Sequence, residues 1–227
     1  MSSDVSISGD EVAGPPAAKP ERLRKGRTLA ERRAERRQAL LDAALELFGT
    51  QGFLATSVEE ICRTAYVSTR NFYEEFDNRE ALLVALGEQI VGRTFRAMAE
   101  VEVIEPGPDQ GRREARARIG VVVHSLVDDP RVARVSFIES RGVSPVHEAR
   151  RRDANRLFAD FVIGLGDGPR SDFWDRSGGE IYGLAVVGAF SEVVGDWVLR
   201  DDKAPLDELI DDLTEFVLLL QRALARP

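Results

Sequence analysis

Residues 56–80 constrain the fold of this 227-residue chain more than any other stretch. Their sequence is TSVEEICRTAYVSTRNFYEEFDNRE, and three places in it offer a side chain that can cap a helix: Thr56, Ser68 and Asp77-Asn78. Glu59, three residues after Thr56, predicts a capping box at the first of these places. The helices between the caps are too short to be stable alone, so the sequence predicts that they share one core.

Each short segment carries apolar side chains at helical spacing. The second segment follows a sharp turn and begins with small polar and basic residues, which is typical of a helix-turn-helix that places its second helix in the major groove of DNA. Similar helix pairs are common in all-α proteins, so the spacing alone leaves both interpretations open. The apolar residues are Val58, Ile61 and Cys62, followed by Phe72, Tyr73 and Phe76.

The wider pattern resembles the N-terminal domain of the tetracycline-repressor (TetR) family of transcription regulators. The resemblance covers roughly residues 36–86 and is specific in the combination of its motifs. It implies an all-α protein, with an N-terminal three-helix DNA-binding domain and a C-terminal helical domain that binds a ligand and dimerises. The residues that carry it are Leu40-Leu41, Ala43-Ala44, Leu47-Phe48, Gly52-Phe53, Thr56-Ser57-Val58, Ile61, Ala65, Val67-Ser68, Phe72-Tyr73, Phe76, Arg79-Glu80 and Leu82-Leu83.

Three residues depart from the family pattern. Tyr66 replaces the usual turn glycine, which suggests that the turn forms without glycine's conformational freedom. Arg70 stands where a small residue is frequent and should alter the bases that are read. Glu75 stands where a histidine is frequent, and with Glu74 it adds negative charge beside the predicted DNA-reading helix.

Charge is distributed unevenly along the chain. The net charge of −8 argues against a nucleic-acid binder, but residues 19–37 hold nine Lys or Arg and three Glu, a net charge of +6. Residues 88–227 hold 19 basic and 25 acidic side chains, a net charge of −6. Positive charge is therefore concentrated beside the predicted helix-turn-helix, where it can attract phosphate. A solvated helix face or a flexible tail is the alternative interpretation of this run.

The sequence predicts three regions. Residues 1–20 form a disordered tail rich in Ser, Gly, Pro and Ala, residues 21–86 the DNA-binding domain, and residues 87–227 the effector-binding and dimerisation domain. No period-two strand or internal repeat is evident, so the prediction is all-α. The predicted helices outside residues 56–80 cover 28–50, 79–102, 112–127, 146–163, 177–200 and 205–225, with a short apolar segment at 131–140.

The last two predicted helices combine small residues, such as Gly179, Gly183 and Gly188, with bulky apolar ones. They form either a hairpin within the chain or half of a four-helix bundle with a second copy. The family resemblance favours the second arrangement, a homodimer through the last two helices.

Several polar residues are predicted to contact double-stranded DNA. Arg70 could pair with guanine and Asn71 with adenine, and Thr69 points outward beside them. The resemblance implies phosphate contacts for others, while Lys25 and Arg27 could reach an adjacent minor groove. Tyr73 could equally be a core aromatic residue and Arg63 a solvated one. The predicted DNA-binding residues are Thr56, Ser68, Thr69, Arg70, Asn71, Tyr73, Arg79, Lys25 and Arg27.

The resemblance also implies a pocket for a small effector among the middle helices. Each predicted lining residue could instead be ordinary core, and Glu139 and Arg141 are predicted to be surface ions. His124 and His147 are the only histidines and have no cysteine or carboxylate cluster at ligand spacing, so neither a metal nor a cofactor is predicted. The predicted ligand-binding residues are Phe95, Met98, Phe137, Phe158, Phe161, Trp174 and Tyr182.

Enzymatic and membrane functions are not expected. There is no Gly-rich phosphate loop, and Cys62 lies on the predicted buried face with no base beside it. The longest apolar stretch is too short to cross a bilayer, and one cysteine with no signal peptide fits the cytoplasm. The sequence therefore predicts a DNA-binding repressor released by a small apolar or amphipathic effector. The alternative is a helical adaptor that kept the motif but lost specific DNA binding, supported by Tyr66, Glu74 and Glu75.

Overall fold

The structure is a computed structural model that describes residues 28–102, 104–163 and 179–224. Within these ranges every regular element is helical, so the prediction of an all-α protein is confirmed. The predicted tail, residues 1–20, lies outside the described residues. The helices are α1 (Leu29–Thr50), α2 (Val58–Ala65), α3 (Thr69–Glu75), α4 (Arg79–Ala99), α5 (Gln110–Val127), α6 (Pro130–Arg134), a π-helix (Val135–Glu139), α7 (Pro145–Ile163), α8 (Gly179–Leu199) and α9 (Leu206–Leu224).

The N-terminal helices each begin at a side-chain cap. Thr28 caps α1 in a capping box with Glu31, and Ser68 and Asn78 cap α3 and α4 as predicted. The predicted cap at Thr56 with Glu59 is wrong by one residue, because Ser57 caps α2 in a capping box with Glu60. Satisfying the free N–H groups in this way lets helices of only seven and eight residues form within the tertiary fold.

The first core joins α1 to α4. Its central side chains have no solvent exposure and include Phe48 and Phe72, with Phe53 and Phe76 packed against them. Burying aromatic side chains of this size supplies most of the stability that such short helices lack. The other fully buried members are Leu40, Ala44, Ile61 and Leu82.

A second core joins α5, α8 and α9, with Val123 and Val194 fully buried. The segment from α6 through the π-helix belongs to both cores, since Val132 and Val135 pack into the first and Phe137 packs into the second. α4 crosses the predicted boundary at residue 86 without interruption. None of the described helices is long and apolar enough to cross a lipid bilayer.

Candidate nucleic-acid interface and cavity

The turn between α2 and α3 and the first residues of α3 form an exposed polar surface. Ser68, Thr69 and Arg70 are exposed and Asn71 is half-buried, so the structure brings these four predicted residues together. The Arg70 side chain is 88% exposed and has one ion partner, Glu74, at 3.5 Å. An exposed pair four residues apart on a helix contributes little stability, so the guanidinium is free to exchange this partner for another.

Tyr73 fits both of its interpretations. Its ring meets the edge of the buried Phe72 ring at a centroid distance of 5.3 Å, yet the side chain remains exposed. The ring therefore packs against a core aromatic residue while more than half of the Tyr73 surface stays exposed.

Thr56 does not belong to the exposed surface. It is 1% exposed, and its hydroxyl donates a hydrogen bond to the Gly52 carbonyl at 2.7 Å. This hydroxyl is not available to a phosphate, which corrects the prediction made for its side chain. The helix begins one residue later than predicted, so Ser57 occupies the cap and Thr56 turns into the core.

Arg79 holds the loop between α1 and α2. Its Nη1 donates to the Thr56 carbonyl and, at 3.5 Å, to the Leu54 carbonyl. The guanidinium also stacks over the Phe53 ring at 4.4 Å. These contacts fasten the loop to the start of α4. A phosphate contact by Arg79 stays a prediction. Lys25 and Arg27 lie outside the described residues.

Glu75, which the sequence placed near the DNA-facing surface, turns inward instead. Its side chain is 2% exposed and accepts hydrogen bonds from Arg33 Nε at 3.0 and 3.1 Å, with Arg36 Nη2 at 3.5 Å. Arg33 and Arg37 also donate to the carbonyls of Glu74 and Glu75 at 3.4 Å. Part of the basic run therefore binds the C-terminal end of α3 to α1, and it neutralises a carboxylate that would otherwise repel phosphate.

This bracing of α3 was missed from the sequence. Arginines of the basic run were interpreted as a surface for phosphate, or as a solvated helix face or flexible tail, and not as partners of an acid on α3. The unusual acid at position 75 was the available signal, because a buried carboxylate requires a partner of opposite charge.

A cavity of about 560 Å³ lies between α4, α5, the π-helix and α7 to α9. Three of the seven predicted ligand-binding residues line it: Phe95, Phe137 and Phe158. The Phe95 and Phe158 rings stack at a centroid distance of 4.9 Å. Met98 is buried but is not among the lining residues. The side chains of Phe161, Trp174 and Tyr182 lie outside the described residues.

The cavity wall combines apolar side chains with polar groups on α7 that sequence analysis did not foresee. His147 is 6% exposed, and burial lowers its pKa below the ordinary value of 6.5, with Glu148 and Glu80 opposing this shift. The imidazole is therefore neutral at pH 7. Arg150 and Asn155 stand along the same helix and also line the cavity. A wall of this kind suits a ligand that is largely apolar and has a polar end.

Glu139 connects the cavity wall to the helix-turn-helix domain. It lies at the end of the π-helix with its side chain 13% exposed. One carboxylate oxygen accepts from the Phe53 backbone N–H at 2.8 Å, and the other accepts from Arg134 Nε at 2.9 Å. Arg134 in turn donates to the Thr50 carbonyl at 2.7 Å. The prediction that Glu139 is a surface ion is wrong, because both carboxylate oxygens hold the loop that leads into α2.

α8 and α9 carry exposed apolar residues, namely Val193, Leu199, Phe216 and Leu219. A Cβ added at Gly188 on α8 would meet no atom of the described chain within 4 Å. Exposed apolar side chains of this kind are available to an interface with another protein surface. Elsewhere in the described ranges, no group of three His, Cys, Asp or Glu side chains converges to hold a metal ion.

Comparison with known proteins places residues 40–86 in the family model described as bacterial regulatory proteins, tetR family. Over 131 residues the chain is 30% identical to the HTH-type transcriptional regulator BetI of Rhizobium meliloti. That match covers 57% of this chain and 64% of the relative, so it spans less than two thirds of the relative's length.

Two solved structures share the fold at low sequence identity. A TetR-family transcriptional regulator from Syntrophomonas wolfei has a TM-score of 0.64 and 18% identity, covering 85% of this chain and 95% of the other. The regulator FadR from Bacillus subtilis, in complex with stearoyl-CoA, has a TM-score of 0.62 and 20% identity, covering 79% and 96%. The similarity extends through both the N-terminal and the C-terminal helices.

Proposed function

We propose that this chain belongs to the tetR family of bacterial regulatory proteins and is a ligand-responsive repressor of transcription that binds a palindromic operator as a homodimer. Membership of a family of regulatory proteins also agrees with the prediction that the chain is not an enzyme. A protein that works on the chromosome would function in the cytoplasm, as the sequence predicted.

The observation that carries this proposal is the exposed polar surface of α3, which is braced from behind. Thr69 and Arg70 face outward while Phe72 fixes the helix in the core and Arg33 holds Glu75 on the opposite side. A rigid support of this kind keeps base-reading side chains in register. Arg70 would donate two hydrogen bonds to guanine and Asn71 would pair with adenine, each discriminating by about 1–3 kcal/mol.

Two copies are needed because one seven-residue helix reads few base pairs. A two-fold dimer would set the two copies of α3 in successive major grooves, about 34–36 Å apart. The exposed apolar residues of α8 and α9 support a dimer interface at that end of the chain, far along the sequence from the reading helix.

For the effector we propose a small amphipathic molecule with a long apolar part. The cavity of about 560 Å³ falls within the range of small-molecule sites, roughly 300–1,000 Å³. Its aromatic wall and the polar groups of α7 match an apolar chain with a polar head. The complex of Bacillus subtilis FadR with stearoyl-CoA shows that a protein of this fold accommodates such a molecule.

The π-helix supplies a route from the cavity to the DNA-reading surface. Val135, Ser136 and Phe137 line the cavity, and two residues later Glu139 holds the Phe53 N–H. A single five-residue turn therefore contacts both sites, and π-helical turns frequently occur at functional sites. An effector that favours one packing of this turn would change the position of the α1–α2 loop and hence the spacing between the two copies of α3.

The test is equilibrium binding of the full chain to a labelled duplex from upstream of its own gene, at 50 and at about 200 mM salt. Specific retention that weakens steeply with salt is expected, because each phosphate contacted by Lys or Arg releases a counterion. A scrambled duplex of the same length is the control. Failure to retain either duplex at the lower salt concentration would favour the helical adaptor, for which the exposed Tyr66 and Glu74 are the remaining support.

A further inference from the structure

Tyr66 has a backbone conformation that its side chain does not favour. At φ 55° and ψ 37° it occupies the left-handed region, where a Cβ crowds the following carbonyl oxygen. A bulky residue in this region is a genuine outlier that requires an explanation. Asp109, the other described non-glycine residue with positive φ, is of a type that tolerates this conformation.

The fold requires the left-handed turn but not the tyrosine side chain. The Tyr66 N–H donates to the Arg63 carbonyl at 3.3 Å, and the Val67 N–H donates to the Cys62 carbonyl at 3.0 Å. These two bonds form a Schellman motif, which ends α2 and which glycine completes without strain. The side chain itself is 97% exposed, so it contributes almost no packing that could offset the strain.

The position of Tyr66 indicates what it contacts. It stands two residues before Ser68, beside the exposed Thr69 and Arg70. In a helix-turn-helix the second helix enters the major groove and the first crosses the phosphate backbone, so the turn between them lies against the wall of the groove. A tyrosine hydroxyl there is a suitable hydrogen-bond donor to a phosphate oxygen.

We propose that Tyr66 is a phosphate-contacting residue that positions the helix-turn-helix on duplex DNA, by donating a hydrogen bond from its phenolic hydroxyl. This inference rests on the proposed function of the same surface. The contact carries no sequence information, so it contributes equally to every duplex. It adds no cation, so it contributes to affinity without changing the number of counterions released.

The experiment compares the wild type with Tyr66→Phe and Tyr66→Gly, using the full chain, the upstream duplex and a random duplex. Each variant should bind both duplexes about tenfold more weakly per copy, with an unchanged salt slope. Urea unfolding should show Tyr66→Phe as stable as the wild type and Tyr66→Gly at least as stable, because glycine relieves the strain. Asp109→Gly, a change at the other left-handed residue, should leave DNA binding unaltered.

Two results would overturn the proposal while the proposed function stands. Wild-type affinity in Tyr66→Gly would show that the side chain makes no contact. Wild-type affinity in Tyr66→Phe, with weaker binding by Tyr66→Gly, would show that the ring acts without its hydroxyl. If the wild type itself binds neither duplex, the repressor function and this inference fail together.

Discussion

The helix-turn-helix domain and the cavity-bearing domain differ in how completely their interiors are filled. In the first, α1 to α4 close around side chains such as Phe48 and Phe72 that have no exposure. In the second, the helices surround about 560 Å³ of space, walled by Phe95, Phe137 and Phe158 among others. Both domains are assembled from helices that pack apolar side chains together, so composition alone does not explain why one interior is filled and the other contains a cavity.

The difference suggests that the two domains have different roles. A filled interior resists deformation and presents the α3 surface in one shape, whereas a hollow one can change its packing when a molecule enters. The two domains share α4 and the segment from α6 through the π-helix. A change in the hollow domain therefore has a limited number of routes to the filled one.

The largest expected effect on stability comes from removing one aromatic ring from the helix-turn-helix core and, for comparison, one from the cavity wall. Phe72→Ala should lower the free energy of unfolding by about 3–5 kcal/mol, because it opens a void in a filled core. Phe158 is half-buried and borders the cavity, so Phe158→Ala should lose its stacking with Phe95, about 0.5–1.5 kcal/mol, and only part of the burial contribution, a smaller total than for Phe72→Ala. Urea unfolding measures both, and equal losses would contradict the contrast between the two interiors.

The next effect concerns the link between the domains. Glu139→Gln keeps the side-chain shape but replaces one accepting oxygen by a donor, which opposes either the Phe53 N–H or Arg134 Nε. The free energy of unfolding should fall by about 1.5–3 kcal/mol, the range for hydrogen bonds to charged groups.

The control for this link is Glu192→Gln. Its carboxylate meets Arg141 at 3.3 Å on an exposed surface, and the loss should be below about 1 kcal/mol. If both variants lose the same free energy of unfolding, the contacts of Glu139 contribute no more to stability than an exposed ion pair does.

A third effect comes from adding a larger side chain beside the cavity and, for comparison, in the helix-turn-helix core. Gly87 borders the cavity, and a Cβ added there meets no atom within 4 Å, so Gly87→Leu should stabilise the protein by about 1 kcal/mol through helix propensity. Ala44 is fully buried in the filled core, so Ala44→Leu should destabilise it by about 1–3 kcal/mol. The midpoint temperature of thermal unfolding should therefore rise for Gly87→Leu and fall for Ala44→Leu. If both midpoints shift in the same direction, the two interiors do not differ in how they accept added volume.

The smallest effect is a pH dependence confined to the hollow domain. Burial lowers the pKa of His147, so the unfolded chain takes up a proton at a higher pH than the folded protein does. The free energy of unfolding should consequently fall as the pH drops below about 6.5 toward the lowered pKa of the folded state.

His147→Asn should reduce this fall, and His124→Asn, which removes the exposed histidine of α5, is the matched control. Glu80, Glu148 and Arg151 act on the same imidazole and remain in both variants. Glu148 titrates lower, because the Gly142 N–H and Arg151 depress its pKa below 4.5. If the free energy of unfolding of His147→Asn falls between about pH 6.5 and 5 as much as that of the wild type, the pH dependence belongs to other groups.

Local features of the fold were predictable from the sequence. The caps at Ser68 and Asn78 depend on side chains a few residues from the groups they satisfy, and the turn at Tyr66 does form without glycine. The choice between Thr56 and Ser57 was not predictable, because both are hydroxyl residues with an acid three positions later. Packing of the loop on distant residues decides which of the two is buried.

Features that depend on distant residues were missed. Arg33 and Glu75 are 42 positions apart, and Glu139 and Phe53 are 86 apart, so no local pattern connects either pair. The aromatic part of the cavity wall was partly predictable, because the family resemblance implied a pocket among the middle helices and Phe95, Phe137 and Phe158 line it. The polar part, including His147, was not, because the rotation of α7 about its axis is set by the helices packed against it.

The central claim is that the exposed surface of α3 reads base pairs. Its most direct test is equilibrium binding of Arg70→Ala and the wild type to a panel of duplexes that each differ from the upstream operator at one position. Arg70→Ala should lose about 1–3 kcal/mol of discrimination at one base pair of each half-site and keep it at the others. A variant that ranks every duplex as the wild type does would contradict the claim that Arg70 and the α3 surface carry sequence recognition.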